Sequence, residues 1–135
     1  MITYRIGNDL DLDAAIELYH ASTLGERRPL DDRARMEAML RNANLVVSAW
    51  DDDLLVGLAR SVSDFSYCTY LSDLAVRVSH QRSGIGRELI RRTGEQGGKA
   101  MLILLAAPKA VEYYPRIGFE HHPQAWILKQ SGNLR

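Results

Sequence analysis

Leu71-Ser72-Asp73-Leu74-Ala75-Val76, followed four residues later by Gln81-Arg82-Ser83-Gly84-Ile85-Gly86-Arg87, is the stretch that decides the fold. The first block is β-prone and forms the centre of an expected strand from Tyr67 to Val78. The second carries two glycines among polar and basic residues, and opens an expected helix through Ile85 and Leu89 that Gly94 and Gly97-Gly98 stop. A strand that runs through a glycine turn into a helix is a common way to hold a phosphate. About four backbone N–H groups at the helix start lack partners, and the macrodipole adds roughly half a positive charge there. Gly84 and Gly86 let the backbone approach an anion with no Cβ in the way. Gln81, Arg82, Ser83 and Arg87 add side-chain donors around the same point. Taken alone, such a turn suits a plain connection equally well.

Downstream, Met101-Leu102-Ile103-Leu104-Leu105-Ala106 is a continuous apolar run of the kind that suits a strand buried on both faces. The strand–helix–strand order makes it parallel to its predecessor. A last helix from about Lys109 to Arg116 stops at Gly118, and Phe119 to Leu128 supplies one or two closing strands. Upstream the period differs. Ile2 to Ile6 reads as an edge strand. Leu12, Ala15, Ile16 and Tyr19, then Met36, Met39, Leu40 and Ala43, recur at amphipathic-helix spacing, with Asp31 or Asp32 to cap the second helix. Leu45 to Trp50 and Leu54 to Val62 flank Asp51-Asp52-Asp53 as an antiparallel hairpin. The expected class is α/β, with a mixed sheet of six or seven strands, antiparallel in its N-terminal part and parallel at its centre, and helices on both faces.

Composition bounds the rest. At 135 residues, with 46% hydrophobic and 25% charged residues, the chain suits one soluble domain, 1–135. Seventeen basic and seventeen acidic side chains cancel, so no global field draws nucleic acid or an anionic membrane, and any anion site must be local. The single cysteine, Cys68, excludes an internal disulfide and reads as a strand residue rather than a nucleophile. With neither a basic-then-apolar leader nor an apolar run near ~18 residues, a cytoplasmic location is expected. His20, His80, His121 and His122 show no metal-ligand spacing, and no metal is expected.

Two better-known glycine motifs fail on spacing. A Walker loop needs Gly-Lys-Ser/Thr where Gly86 is followed by Arg87 and Glu88, and a dinucleotide fingerprint needs a third glycine where Leu89 stands. Gln81-Arg82-Ser83-Gly84-Ile85-Gly86 instead resembles the Gln/Arg-x-x-Gly-x-Gly/Ala motif of the Gcn5-related N-acetyltransferases (GNAT). Leu74-Ala75-Val76 resembles the end of that family's preceding strand. Ala110-Val111-Glu112-Tyr113-Tyr114-Pro115-Arg116-Ile117-Gly118-Phe119 resembles its Ala-x-x-Phe/Tyr-Tyr-x-x-x-Gly-Phe block. The resemblance covers roughly Leu45 to Phe119, while the first forty residues agree only in layout.

The resemblance implies the acyl-CoA N-acyltransferase fold and direct transfer of an acetyl group from acetyl-CoA to a primary amine of a small molecule or peptide. The strands carrying Leu74-Ala75-Val76 and Met101 to Ala106 would splay apart, with the pantetheine arm lying between them. The backbone N–H near Val76 would polarise the thioester carbonyl, an oxyanion-hole effect worth about 3 kcal/mol. Arg82 to Arg87 would hold the pyrophosphate, and Tyr114 would donate a proton to the departing thiolate, a phenol of pKa about 10 being suited to that leaving group. Tyr113 reads as a packing aromatic. A homodimer would be in keeping with the family.

Two family features are missing. Ala106-Ala107-Pro108-Lys109 lacks the asparagine that often contacts the cofactor arm, and Met101 to Leu105 lacks the glutamate that serves some members as general base. Asp73 and Asp64 are the nearest carboxylates by topology, with a water chain as an alternative to either, and Asp73 reads equally as an outward-facing strand residue. Glu26, Arg27 and Arg28 are candidate acceptor contacts or a solvated loop. A non-catalytic CoA-binding sensor or interaction module is the alternative function.

Overall fold

Both long N-terminal helices begin on an aspartate whose carboxylate accepts from a backbone N–H three residues on, the bond that relieves an orphan donor at a helix start. Asp11 Oδ2 accepts from the Ala14 N–H at 3.0 Å and opens α1, Leu12–Ala21. Asp32 Oδ1 accepts from the Arg35 N–H at 3.1 Å and opens α2, Arg33–Asn42. The inward stripes of the two helices, Leu12, Ala15, Leu18 and Tyr19 with Met36 and Leu40, meet Val46, Leu55, Leu58 and Ala75 of the sheet in one core. The computed structural model describes residues 1–135.

The sheet has five strands, β1 (Ile2–Ile6), β2 (Leu45–Asp51), β3 (Leu54–Ser63), β4 (Cys68–Val76) and β5 (Met101–Ile103), in the order β1-β2-β3-β4-β5. The first four are antiparallel, and β5 joins β4 in parallel. The crossover is α3, Ile85–Gln96, on the face away from α1. Gly57 and Leu58, adjacent on β3, point to opposite faces. Leu58 enters the α1–α2 core, whereas a Cβ on Gly57 would lie 3.0 Å from Ile85 Cγ2 and Leu89 Cδ1 of α3. The expected α/β mixed sheet with helices on both faces is therefore present.

Opposite Arg60 and Ser61 the register slips: Arg60 pairs Asp73 but Ser61 pairs Leu71, so Ser72 is an extra residue on β4. A bulge of this kind bends its strand and sharpens the local twist. The parallel ladder with β5 ends at Tyr70 and Ile103, just before it.

Three expectations are corrected. The sheet has five strands, not six or seven, because Phe119 to Leu128 forms no strand. A strand exists only through its ladder, and Pro123 in this stretch has no N–H to give one. The apolar run forms a strand only over Met101–Ile103, and Met101, Ile103 and Leu105 are exposed rather than buried on both faces. Leu102 faces Gly94 of α3 while its neighbours point to the uncovered face of an edge strand. The last helix is also shorter than expected, a 3-10 turn at Pro108–Ala110 followed by α4, Tyr113–Arg116. The chain forms two compact units, Met1–Leu105 with the whole sheet and Ala106–Arg135 with α4. No helix is long and apolar enough to cross a membrane.

Candidate functional site

The end of β4 presents its main chain to an open edge. The Arg77 N–H donates to Val56 O at 2.8 Å, so Arg77 faces β3. Antiparallel alternation then turns Ala75 toward β3, and Leu74 and Val76 away from it. Val76 O accepts from the Gln81 side-chain amide at 3.0 Å, in keeping with that direction. On this side β5 has already left the ladder at Ile103. The N–H and C=O groups of Leu74 and Val76 thus line an edge able to pair with an extended ligand, as any unpaired strand edge can.

Beyond Val76 the chain passes a 3-10 turn, Val78–His80, and reaches the start of α3. Gly84 is the N-cap, with φ of +87°, and no side chain caps the helix. Its first internal bond runs from the Glu88 N–H to Gly84 O at 3.0 Å, so the donors of Ile85, Gly86 and Arg87 have no partner within the helix. A Cβ on Gly84 would meet nothing within 4 Å, so open space adjoins the turn. Arg82 also sits in the left-handed region, at φ +63°. Arg82 and Arg87 are both exposed, and neither pairs with a carboxylate. Free amides, a positive helix end and two free guanidinium groups suit a diphosphate.

The expected set of side-chain donors is smaller than its sequence suggests. The Ser83 hydroxyl donates to His80 O at 2.6 Å, and Gln81 reaches back to Val76, so both brace the turn. His80 joins in this bracing: its Nε2 lies 2.9 Å from Asp51 Oδ2 at the end of β2. The helix itself is seated by Ile85 and Leu89, both buried, over the missing side chain of Gly57.

The two carboxylates considered as bases are both engaged. Asp73 is fully buried and points inward, so neither an outward-facing residue nor a free base describes it. Its Oδ2 accepts from the Tyr19 hydroxyl at 2.7 Å and from Arg60 Nε at 2.6 Å, and its Oδ1 accepts from Arg28 Nε at 2.7 Å. Burial pushes the Asp73 carboxyl up, but the bond to Arg60, followed by the charges of Arg60 and Arg28, outweighs it and holds the group below its ordinary value. The same environment pushes the Tyr19 phenol up, burial first and the Asp73 charge second. Asp64 lies in the turn between β3 and β4, where its Oδ1 accepts from the N–H groups of Ser66, Tyr67 and Cys68 at 2.9, 2.7 and 3.1 Å. Those backbone bonds hold its carboxyl low. Cys68 stands exposed at the start of β4.

Tyr114 belongs to the second unit, where the spacing of its motif has a local cause. The Phe119 N–H donates to Tyr114 O at 3.0 Å and the Gly118 N–H to Pro115 O at 3.2 Å, with Gly118 at φ +107°. These are the paired bonds and left-handed residue that close a helix in a Schellman motif, and the Tyr114 and Phe119 rings supply its apolar contact at 5.4 Å, edge to face. Tyr113 packs edge to face on Tyr114 at 5.3 Å. Burial, and secondarily Tyr113, pushes the Tyr114 phenol up, so it remains a proton-bearing acid at neutral pH.

Sequence reasoning missed the ties around this site. Arg28, Arg60 and Tyr19 converge on Asp73 from three separate segments, and the only local signal was a charged residue between the apolar Leu71 and Ala75. Arg77 pairs with Glu17 through two N–H groups and also donates to Leu55 O, joining the end of β4 to α1. The guanidinium lowers the Glu17 carboxyl, chiefly through the hydrogen bond.

Residues 22–127 match the model of the acetyltransferase (GNAT) domain. Histone acetyltransferase TAP1 of Glycine max is 30% identical over 112 residues, which cover 73% of this chain and 47% of that protein. The chain spans about half the length of the curated relatives it matches. A GNAT family acetyltransferase from Streptococcus pneumoniae superposes with a TM-score of 0.75 at 27% identity, covering 96% of this chain and all of that one. An aminoglycoside N-acetyltransferase, AAC(6')-Iy, solved in complex with CoA, shares the fold at a TM-score of 0.73 and 18% identity, covering 97% of this chain and 95% of that one. With the glycine turn before α3 and the open end of β4 in place, and a domain match across more than three quarters of its length, the chain belongs to the GNAT acetyltransferase family.

Proposed function

We propose that this chain transfers an acetyl group from acetyl-CoA to a primary amine of a small molecule or peptide. The observation that carries the reading is the continuity of an open β4 edge, at Leu74 and Val76, with an uncapped helix start at Gly84. An extended amide-bearing arm that ends in a diphosphate matches that sequence of donors. When bound, acetyl-CoA supplies the thioester as an activated acyl group. The amides of Ile85 to Arg87, with Arg82 and Arg87, hold the diphosphate, and the Val76 N–H orients and polarises the thioester carbonyl. The amine nitrogen forms the new C–N bond as the C–S bond breaks. The amine loses its proton to water, since Asp73 and Asp64 are both committed to the fold, and Tyr114 protonates the sulfur.

The test separates binding from chemistry. CoA should raise the melting temperature by mass action, and replacing Gly84 and Gly86 with bulky residues should abolish the shift; an unchanged shift overturns the cradle. Acetyl-CoA with an amine panel should release free thiol. Tyr114→Phe should lower turnover while the CoA-induced shift persists, and unchanged turnover would refute the proton-donor role. A CoA-induced shift with no thiol release from any amine would favour a CoA-binding sensor instead.

A further inference from the structure

We propose that Arg28 is a positioning residue that fastens the segment between α1 and α2 over the bulge of β4, where the opening between β4 and β5 begins. The inference rests on the proposed acetyl transfer only in giving that segment the role of acceptor-side wall. The 3-10 turn Thr23–Arg27 has no fully buried residue, although Leu24 within it and Leu30 beyond it rest partly on the core. Arg28 supplies the polar tie. Its Nε donates to Asp73 Oδ1 at 2.7 Å, its Nη2 to the carbonyl of the bulged Ser72 at 2.7 Å, and its Nη1 to Arg27 O at 2.8 Å. All three nitrogens are used, two of them on β4.

The anchor is complete without the latch. Asp73 Oδ2 is held from inside by Tyr19 and Arg60, and Arg60 also donates to Met39 O and Ser72 Oγ. Ser72 Oγ reaches Asp73 Oδ1 at 3.2 Å. Removing Arg28 therefore leaves no lone charge in the core, while the segment loses its tie to the sheet. The Arg28 side chain is 20% exposed where Asp73 is 0%, as befits a clasp at the surface of a buried anchor. Ser72 stands two residues past Tyr70, the last β4 residue paired to β5, so the clasp closes at the start of the open edge. Glu26 and Arg27, both exposed, are thereby presented in one geometry. Lysine cannot replace the fork, because a point charge on a flexible stem does not meet a carboxylate and a carbonyl at once in a fixed plane.

The full chain is tested by amide hydrogen exchange and by acetyl-CoA kinetics with spermidine, tyramine, kanamycin and a lysine peptide as acceptors. Arg28→Ala should raise exchange at least tenfold over residues 22–31 and leave β4 and α3 unchanged. Arg28→Lys should recover only part of that protection. For whichever amine turns over, its KM should rise several-fold in Arg28→Ala, while the KM for acetyl-CoA stays within twofold. Unchanged exchange over residues 22–31, or an equal rise across β4 and α3, overturns the latch. Raised exchange with an unchanged amine KM reduces Arg28 to a structural tie and overturns the positioning role. If no amine turns over with the wild type, the transfer reading fails, and the exchange arm still decides whether Arg28 holds the segment.

Discussion

The two ends of the β4 segment on either side of Ala75 are built on opposite principles. At Val76 and around Gly84 the working groups are backbone amides and the exposed guanidinium groups of Arg82 and Arg87, with no side-chain cap on the helix and no carboxylate partner for either arginine. At Ser72 and Asp73 the working groups are side chains, and every polar atom of the buried carboxylate has a donor. The first arrangement leaves hydrogen-bonding capacity open for a ligand. The second uses it up within the fold. Buried charge is tolerable only when paired and fully hydrogen-bonded, whereas a helix start can remain unsatisfied because solvent or an anion reaches it. The contrast separates donors left open from donors and acceptors used within the fold.

The sharpest way to break this contrast is to remove the buried charge. Asp73→Asn leaves the Arg60 guanidinium in the core without its ionic partner and should cost about 3–5 kcal/mol, read by urea denaturation. A loss below about 1 kcal/mol would show that the network is not a keystone. The pH dependence follows from the same group. Its folded pKa lies below the ordinary 3.8, so its stabilisation is present above that value and lost as pH falls through the lower, folded pKa. The acid limb of a stability–pH curve should therefore flatten in Asp73→Asn, and an unchanged limb would assign acid sensitivity elsewhere.

A smaller effect is expected where the sheet seats the cradle. Gly57→Val places carbon against Ile85 and Leu89 at 3.0 Å and should cost about 1–3 kcal/mol by overpacking. Because α3 must lift, the CoA-induced melting shift should shrink as well. Lost stability with a full shift would mean that the helix start is positioned independently of the sheet. The smallest effect is expected at the exposed tie between Glu17 and Arg77. Glu17→Gln should change stability by less than about 1 kcal/mol, since the carboxylate side chain is 55% exposed and solvent screens the pair.

What could be read in advance was local. The cap at Asp31 or Asp32, the hairpin around Asp51-Asp52-Asp53, and the strand–turn–helix at Gly84 all depend on residues within a few positions of one another. Tyr114, Gly118 and Phe119 belong to the same class, since their spacing is that of a single helix stop. Asp73 shows the opposite case. Its partners stand 13, 45 and 54 positions away, and no window along the chain contains them together.

The class of fold, the glycine turn that opens α3 and the family were therefore legible in the residues alone. Each depends on short-range periodicity, on glycine at a left-handed position, and on backbone donors that any helix start exposes. The bulge at Ser72, the end of β5 at Ile103, the closing of the sheet at five strands and the bracing of the turn by Gln81 and Ser83 came from tertiary packing. It also turned Asp73 inward and Arg28 away from solvent. Those outcomes depend on which strand lies beside which, and on a charge that cannot be buried without partners drawn from distant parts of the chain.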